Sequence, residues 1–163
     1  MMGYDVTIQE LPLRAVFDLK GERTALAAWC GFTLPDRPNR QAVAGRGQAA
    51  LIGPDHWLLW DDLAQEPDLV ASLRPDAAPA ELSIVPISDT LAFLAVTGPD
   101  AGEVLAVATP LDLHPSVFGM EDIAFTEAHG IKALIRCLAG GFEIGIDRSY
   151  ANWFRMMLER CAA

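Results

Sequence analysis

Residues 132–147 read KALIRCLAGGFEIGID and alternate in the way typical of a β-hairpin. Apolar Phe142, Ile144 and Ile146 are separated by polar or small residues, which predicts a strand with one buried face. The intervening polar positions, Glu143 among them, are predicted to face water. An Ala-Gly-Gly sequence separates the two strands, and glycine tolerates the positive φ of tight hairpin turns. The segment therefore predicts two paired strands of an antiparallel sheet.

The same pattern occurs a second time in the chain. Residues 48–62 read QAALIGPDHWLLWDD, again two strand-like runs around a turn that contains glycine. Each hairpin follows an extended segment, an apolar strand and a helical pattern, which lie at 10–35 and 86–113. Each hairpin also precedes a helical pattern, at 66–74 and 149–160. The sequence predicts an α+β fold of two pseudo-repeated β-α-β-β-α halves with antiparallel sheets.

The two halves are predicted to form a single domain over residues 1–163. The best boundary is the segment 74–80, RPDAAPA, so the halves cover approximately 1–76 and 80–163. This segment is short, and no long Pro/Gly/Ser linker separates the halves. A chain of this size buries roughly 70% of its unfolded surface, so it needs no disulfide or metal for stability.

Local signals indicate where individual helices begin and end. Gly31 is predicted to end a helix over 21–30, and Ser149 to cap the last helix. The apolar stripe of that last helix, predicted to face the core, consists of Tyr150, Trp153, Phe154, Met157, Leu158 and Cys161.

Charge excludes several classes of partner. Twelve Lys and Arg face 22 Asp and Glu, a net charge of −10, and no basic cluster is evident. Binding to nucleic acid or to an anionic membrane surface depends on cationic side chains, so neither is predicted. No apolar run approaches the length of a membrane span, and the start of the chain lacks the pattern of a signal peptide.

Apolar content and cysteine usage indicate the setting of the protein. The chain is 52% hydrophobic, above the usual share, which favours an apolar face buried in an oligomer or complex. Cys30, Cys137 and Cys161 are odd in number and lie among apolar neighbours. They are predicted to be reduced core thiols of a cytoplasmic protein.

Motifs of catalytic or metal chemistry are missing from the sequence. His56, His114 and His129 have neither the mutual spacing nor the cysteine neighbours of a metal site. His56 follows Gly-Pro-Asp and is expected to be a solvated turn residue. No nucleophile elbow and no phosphate-binding loop occur. We therefore predict no catalytic, cofactor-binding or metal-binding residue on this chain.

Residues 110–119, PLDLHPSVFG, form the most unusual segment. One interpretation is an acid–base pair in which Asp112 orients His114. The other is a stiff apolar loop, because two prolines fix φ and restrict the residues that precede them. Such a loop loses little entropy on docking, which favours a docking or core-plugging role over catalysis. The predicted docking residues are Leu111, Asp112, Leu113, His114, Pro115 and Phe118.

These motifs resemble a known family. ELPLRAVFDLKG, LPDRPNR, GPDHWLLW, TGPDAGEVLA, PLDLHPSVF and FEIGIDRSYANWFRMML, in this order, are similar to the gamma subunit of heterotetrameric sarcosine oxidase. The resemblance covers about residues 10 to 160. It implies a fold similar to the aminomethyltransferase and TrmE-type folate-binding domain. Two departures stand out: the acids within 119–130, and Tyr150 where relatives have Phe.

The resemblance implies a non-catalytic accessory subunit with no activity of its own. Large alpha and beta subunits would be its partners and would carry FAD, FMN, NAD and tetrahydrofolate, with none of these on this chain. The complex would oxidise sarcosine or another N-methyl amine, and the isolated chain could form a homodimer. The alternative is a stand-alone tetrahydrofolate-binding or one-carbon-transfer protein, whose pocket between the halves would be lined by Trp57, Trp60 or Trp153.

Overall fold

The computed structural model describes residues 3–163, which form two five-stranded antiparallel sheets and four α-helices. In chain order the elements are β1 (Thr7–Glu10), β2 (Arg14–Lys20), α1 (Arg23–Cys30), β3 (Gln41–Ala44), β4 (Gly47–Gly53), β5 (His56–Asp62), α2 (Glu66–Leu73), β6 (Ser83–Pro86), β7 (Leu91–Thr97), α3 (Ala101–Ala108), β8 (Ile123–Ala128), β9 (Ile131–Leu138), β10 (Gly141–Asp147) and α4 (Ala151–Ala162). No helix within these residues has the length and apolar character needed to cross a bilayer.

The chain divides into two compact units. The N-terminal unit is Leu13–Ser88, and the C-terminal unit combines the described residues up to Pro12 with Asp89–Ala163. The sequence instead predicts halves that meet between residues 76 and 80. The difference arises because β1 pairs with β7 and β6 pairs with β2. That the whole chain behaves as a single domain stays a prediction.

In the N-terminal unit the strand order is β3-β4-β5-β2-β6. Strands β2 and β5 pair along their full length, with Phe17 opposite Leu59. Alternate side chains of these strands face α1 and α2, as the two-residue period of a strand requires. The core of this unit contains Ala15, Phe17, Leu19, Leu26, Cys30, Leu34, Trp57, Leu59, Leu69 and Leu73, all buried.

In the C-terminal unit the strand order is β8-β9-β10-β7-β1, which is the same arrangement. The helices α3 and α4 supply one wall of its core. One face of α3 is buried in this core, with Ala101, Val104, Leu105 and Ala108 each at most 8% exposed. The core also contains Leu94, Val96, Ile135, Phe142, Ile144, Ile146, Phe154 and Leu158.

The predicted α+β fold with two pseudo-repeated antiparallel halves is confirmed at the level of topology. Each unit has two strands more than the predicted β-α-β-β-α pattern, namely β3 and β6 in the N-terminal unit and β8 and β1 in the C-terminal unit. All four of these strands lie at a sheet edge. An edge strand pairs on one side only, so its sequence is less constrained to alternate than that of a central strand.

The predicted helix ends are partly right. Gly31 ends α1 with φ 77°, as predicted, and its N–H donates to the carbonyl of Ala27. The prediction that Ser149 caps the last helix is wrong. Asp147 accepts hydrogen bonds from the N–H and the hydroxyl of Ser149 at 2.8 and 2.6 Å, and the 3₁₀ turn Arg148–Tyr150 precedes α4. Asp147 is therefore the residue that starts this turn.

Two aromatic residues lie outside the core stripe predicted for α4. Phe154 and Leu158 are fully buried, but Tyr150 is 46% and Trp153 is 42% exposed. Tyr150 belongs to the 3₁₀ turn and not to the helix, so the helical period does not apply to it. Trp153 lies about 100° around the helix from Phe154, at the margin of the buried face.

The predicted solvation of Glu143 is wrong. Its side chain is only 4% exposed, and it pairs with Arg136 on the neighbouring strand β9. The residues of β10 from Phe142 to Ile146 are buried on both faces of the sheet. The alternation of polar and apolar residues therefore reflects a buried ion pair and not a wet face.

Candidate docking groove

An open groove of about 1270 Å³ lies on the surface of the C-terminal unit. It runs between the first turns of α3, the loop that follows α3, and the turn that joins β9 to β10. All six residues predicted to dock a partner contribute to its lining: Leu111, Asp112, Leu113, His114, Pro115 and Phe118. The structure thus brings them together on one surface, while their role in docking stays a prediction.

Hydrogen bonds within the loop keep its shape. The carboxylate of Asp112 accepts the backbone N–H of His114 at 3.0 Å, which forms an Asx-type turn. The carbonyl of His114 accepts the N–H groups of Val117 and Phe118 at 2.8 and 2.9 Å. Together with the two prolines, these bonds make the loop a rigid element.

The alternative of an Asp112–His114 acid–base pair is not formed. The carboxylate bonds to the backbone of His114, whereas the ring Nδ1 lies 2.7 Å from the hydroxyl oxygen of Ser116. The N–H of Ser116 also donates to Nδ1 at 3.2 Å, so the proton of the neutral ring is on Nε2. The imidazole therefore supports the loop by a local contact.

Two of the loop's apolar side chains are directed into the protein. Leu113 and Phe118 are 8% and 6% exposed and belong to the core of the C-terminal unit. The thiol of Cys137 donates to the carbonyl of Phe118 at 3.3 Å. These residues anchor the loop, which is the core-plugging role that the sequence allowed. Val117 and Met120, each 59% exposed, present apolar surface on the outside.

The thiol that lines the groove is not an activated nucleophile. Burial, and to a smaller extent the carboxylate of Asp122, raises the pKa of Cys137. The thiolate is the reactive form of cysteine, and a raised pKa keeps it scarce at neutral pH. Among the described residues, no three His, Cys, Asp or Glu side chains are arranged to hold a metal ion.

A polar pair in the N-terminal unit, His56 with Asp18, was not predicted from the sequence. His56 lies on β5 and its Nε2 is 2.6 Å from the carboxylate of Asp18 on β2, so it is not the solvated turn residue that was expected. Lys20 Nζ lies 3.7 Å from the same carboxylate. Only the strand register, which places His56 opposite Lys20, could have indicated this contact.

The third histidine is part of an aromatic contact. The ring centroid of His129 lies 5.7 Å from that of Phe154 and 6.4 Å from that of Trp153, in edge-to-face geometry. Its Nε2 is 3.9 Å from the thiol of Cys161. Burial lowers the pKa of His129, which favours the neutral ring. This arrangement fits packing by an uncharged aromatic group.

The tryptophans proposed for a folate pocket line neither the groove nor a smaller cavity of the N-terminal unit. Trp57 is fully buried in the core of the N-terminal unit, and its indole N–H donates to the carbonyl of Pro35 at 2.8 Å. Trp60 is 4% exposed. The groove contains no tryptophan, and neither does a smaller cavity of about 520 Å³ beside α1 in the N-terminal unit.

The fold of this chain is similar to that of a solved aminomethyltransferase. A chain of aminomethyltransferase T of the glycine cleavage system from Bartonella henselae superposes with a TM-score of 0.70 over 96% of this chain and 46% of its own length, at 15% identity. The protein thus has the α+β fold of that class, as predicted. Residues 24–163 match the model of the sarcosine oxidase, gamma subunit family, and the chain belongs to this family.

Individual relatives agree with the family assignment. The sarcosine oxidase subunit gamma of Corynebacterium sp. (strain U-96) is 33% identical over 127 residues, and that of Arthrobacter sp is 34% identical over 131. Each alignment covers 77% of this chain, and the chain spans about 60% of the length of these relatives. A chain of the heterotetrameric sarcosine oxidase from Corynebacterium sp. U-96, in complex with pyrrole 2-carboxylate, superposes with a TM-score of 0.84 at 26% identity, covering 96% of this chain and 83% of that one.

Proposed function

We propose that this chain is a non-catalytic accessory subunit of a heterotetrameric oxidase that acts on sarcosine or another N-methyl amine. The observation that carries the proposal is the match, over 96% of the chain, to a subunit of a heterotetrameric sarcosine oxidase. The groove supports it, because its one thiol has a raised pKa and its histidine is engaged with Ser116.

The partners in this proposal are large alpha and beta subunits in the cytoplasm. They would hold FAD, FMN, NAD and tetrahydrofolate, while this chain contributes to assembly. Docking would use the loop around His114 and Pro115, both exposed on the groove. A preformed loop loses little conformational entropy on binding, so most of its contact energy contributes to affinity.

The test is purification of the tagged chain from the cell that makes it, at moderate salt. We expect two larger partner proteins in the eluate and a yellow colour with flavin absorption bands. An eluate that contains only this chain and has no visible absorption would contradict the proposal. Quenching of tryptophan fluorescence by a tetrahydrofolate analogue would then be measured, because it tests the folate-binding alternative directly.

A further inference from the structure

We infer that the groove receives an apolar chain segment of a partner subunit, and that this segment carries a lysine or arginine. The inference rests on the proposed function and adds the surface that is used and the chemistry of what binds there. Three features of the groove carry it: its size and apolar lining, two glycines that nothing inside the chain requires, and the sign of its charges.

The dimensions of the groove suit a chain segment. Its volume of about 1270 Å³ exceeds the range of roughly 300–1,000 Å³ that is usual for small-molecule pockets. Its wall is formed by apolar groups such as Pro99, Leu111, Leu138 and Phe142. Apolar side chains of a partner would lose contact with water here, and this is the main source of binding free energy at protein interfaces.

Gly102 lies in the first turn of α3 and lines the groove. Its φ is not positive, and a Cβ at this position would meet only the ring edge of Phe142, at 3.9 Å. Neither backbone conformation nor internal packing therefore requires glycine, although glycine costs stability in a helix. The missing side chain leaves room for another chain to approach α3 closely.

Gly119, at the end of the loop that follows α3, also lines the groove and repeats this observation. Its φ is also not positive, and a Cβ there would meet only the carboxylate of Asp122, at 3.7 Å, an ordinary contact. The other glycines of the lining are explained within the chain. Gly98 and Gly140 have positive φ, and a Cβ on Gly141 would clash with the carbonyl of Val96. The two unexplained glycines thus mark where the partner segment passes.

The charges of the groove select a cationic segment. Glu103 and Asp112 are the acidic groups of the lining, and its described residues include no lysine or arginine. A cation placed between exposed carboxylates gains favourable electrostatic energy and fixes the register of binding. A second copy of this chain is disfavoured as occupant, because each copy has a net charge of −10 and the two would repel.

The experiment is competition during assembly of the complete complex. All subunits are co-expressed with two differently tagged versions of this chain, one wild-type and one variant, and their ratio in the purified complex is measured. The share of Gly102→Ala or Gly119→Ala in the purified complex is expected to be about 10-fold lower than that of wild type, because an added methyl group overfills the interface. The control is Gly53→Ala, a glycine of the N-terminal unit that also has no positive φ and whose Cβ would meet only His56, at 3.7 Å.

Stability separates this effect from misfolding. Isolated Gly102→Ala is expected to melt about 2 °C higher than wild type, since alanine restricts the unfolded chain and fits the folded one. A variant that is more stable yet excluded from the complex cannot owe its exclusion to a damaged fold. If Gly102→Ala and Gly119→Ala assemble as well as wild type, the inference is overturned.

The charge requirement has its own pair of variants. Glu103→Gln should be depleted from the complex and Glu103→Lys depleted further, whereas Glu66→Gln, in the first turn of α2, should not be. Equal incorporation of the two Glu103 variants and wild type would overturn the inference that the partner segment carries a lysine or arginine. If wild type forms no complex, the proposed function itself fails. If the wild-type chain alone dimerises and Gly102→Ala abolishes the dimer, a second copy occupies the groove and the inference is wrong.

Discussion

Arg136 and Glu143 form a two-fold hydrogen-bonded ion pair between β9 and β10, with Nε to Oε1 at 3.0 Å and a second guanidinium nitrogen to Oε2 at 3.1 Å. The glutamate side chain is 4% exposed and the arginine side chain 17%. Two largely buried charges are tolerated because each neutralises the other. Removing one takes from the other a charged partner held by two hydrogen bonds in a largely buried place.

We expect Glu143→Gln to lower the free energy of unfolding by about 3 kcal/mol. The measurement is urea denaturation at pH 7. The matched control is Glu159→Gln, which breaks the exposed Arg155–Glu159 pair on α4, with a distance of 2.7 Å and side chains 43% and 48% exposed. That change should cost less than about 0.5 kcal/mol. Equal losses for the two variants would show that burial does not strengthen the first pair.

The capping carboxylate of Glu22 gives a pH-dependent prediction. Its two oxygens accept the N–H groups of Thr24 and Ala25 at 2.9 and 2.8 Å, and these bonds, that of Thr24 first, lower the pKa of Glu22. The unfolded chain therefore takes up the proton more readily. The cap stabilises the fold above the carboxyl's ordinary pKa, and its contribution is lost as pH falls through the lowered folded-state pKa.

Glu22→Gln is accordingly expected to have a lower melting temperature than wild type at pH 7. The gap should narrow as the pH falls from the carboxyl's ordinary pKa through the lowered folded-state pKa, where the wild-type carboxylate also becomes neutral. Thermal unfolding followed by circular dichroism over this pH range measures it, and Glu81→Gln, at an exposed loop position, is the control. A gap that stays constant with pH would mean that the charge of the cap does not contribute.

Substitution of the loop residue His114 should weaken assembly of the complex more than it lowers turnover. His114→Ala removes the Nδ1 acceptor of Ser116 and frees the loop to move. We expect about 10-fold weaker assembly with the large subunits and unchanged turnover per assembled complex. His114→Asn, whose amide oxygen can replace Nδ1 as the acceptor, should restore most of the assembly. An intact but inactive complex carrying His114→Ala would contradict the docking role.

The three cysteines should differ in reactivity. Burial raises the pKa of Cys30 to about 11, a shift that nearby Arg74 opposes, and burial also raises the pKa of Cys137. Cys161 is only half-buried near the end of α4. At pH 8, iodoacetamide should modify Cys161 about 100-fold faster than Cys30. Mass spectrometry of the native and the unfolded chain measures this, and faster labelling of Cys30 would contradict its burial.

The sequence predicts best what is encoded locally. The hairpin over 132–147 and the end of α1 at Gly31 follow from alternation and from the conformational freedom of glycine, and both are found. The short strand β8 was not predicted, because an edge strand needs no regular alternation. Its presence depends on β9, which offers it a free edge, and that is a property of the assembled sheet.

Of the candidate docking groove, the sequence predicts only the part that is encoded locally, namely the loop. Two prolines and a local Asx turn identify the loop at 110–119, because these constraints act between neighbouring residues. The wall of the groove formed by the turn at Gly140 is distant from the loop in sequence and approaches it through the pairing order of the sheet. The burial of Glu143 was missed because an alternating pattern does not show whether the polar face is covered.

The crossed pairing of β1 with β7 and of β6 with β2 gives this chain the topology of a domain-swapped dimer whose two copies are fused. A cut between residues 76 and 80 would leave each fragment holding the edge strand of the other's sheet. Neither fragment could complete its own sheet. The two should instead recover the fold by fragment complementation, so the two repeats are bound to each other by the exchange of strands as well as by the chain that links them.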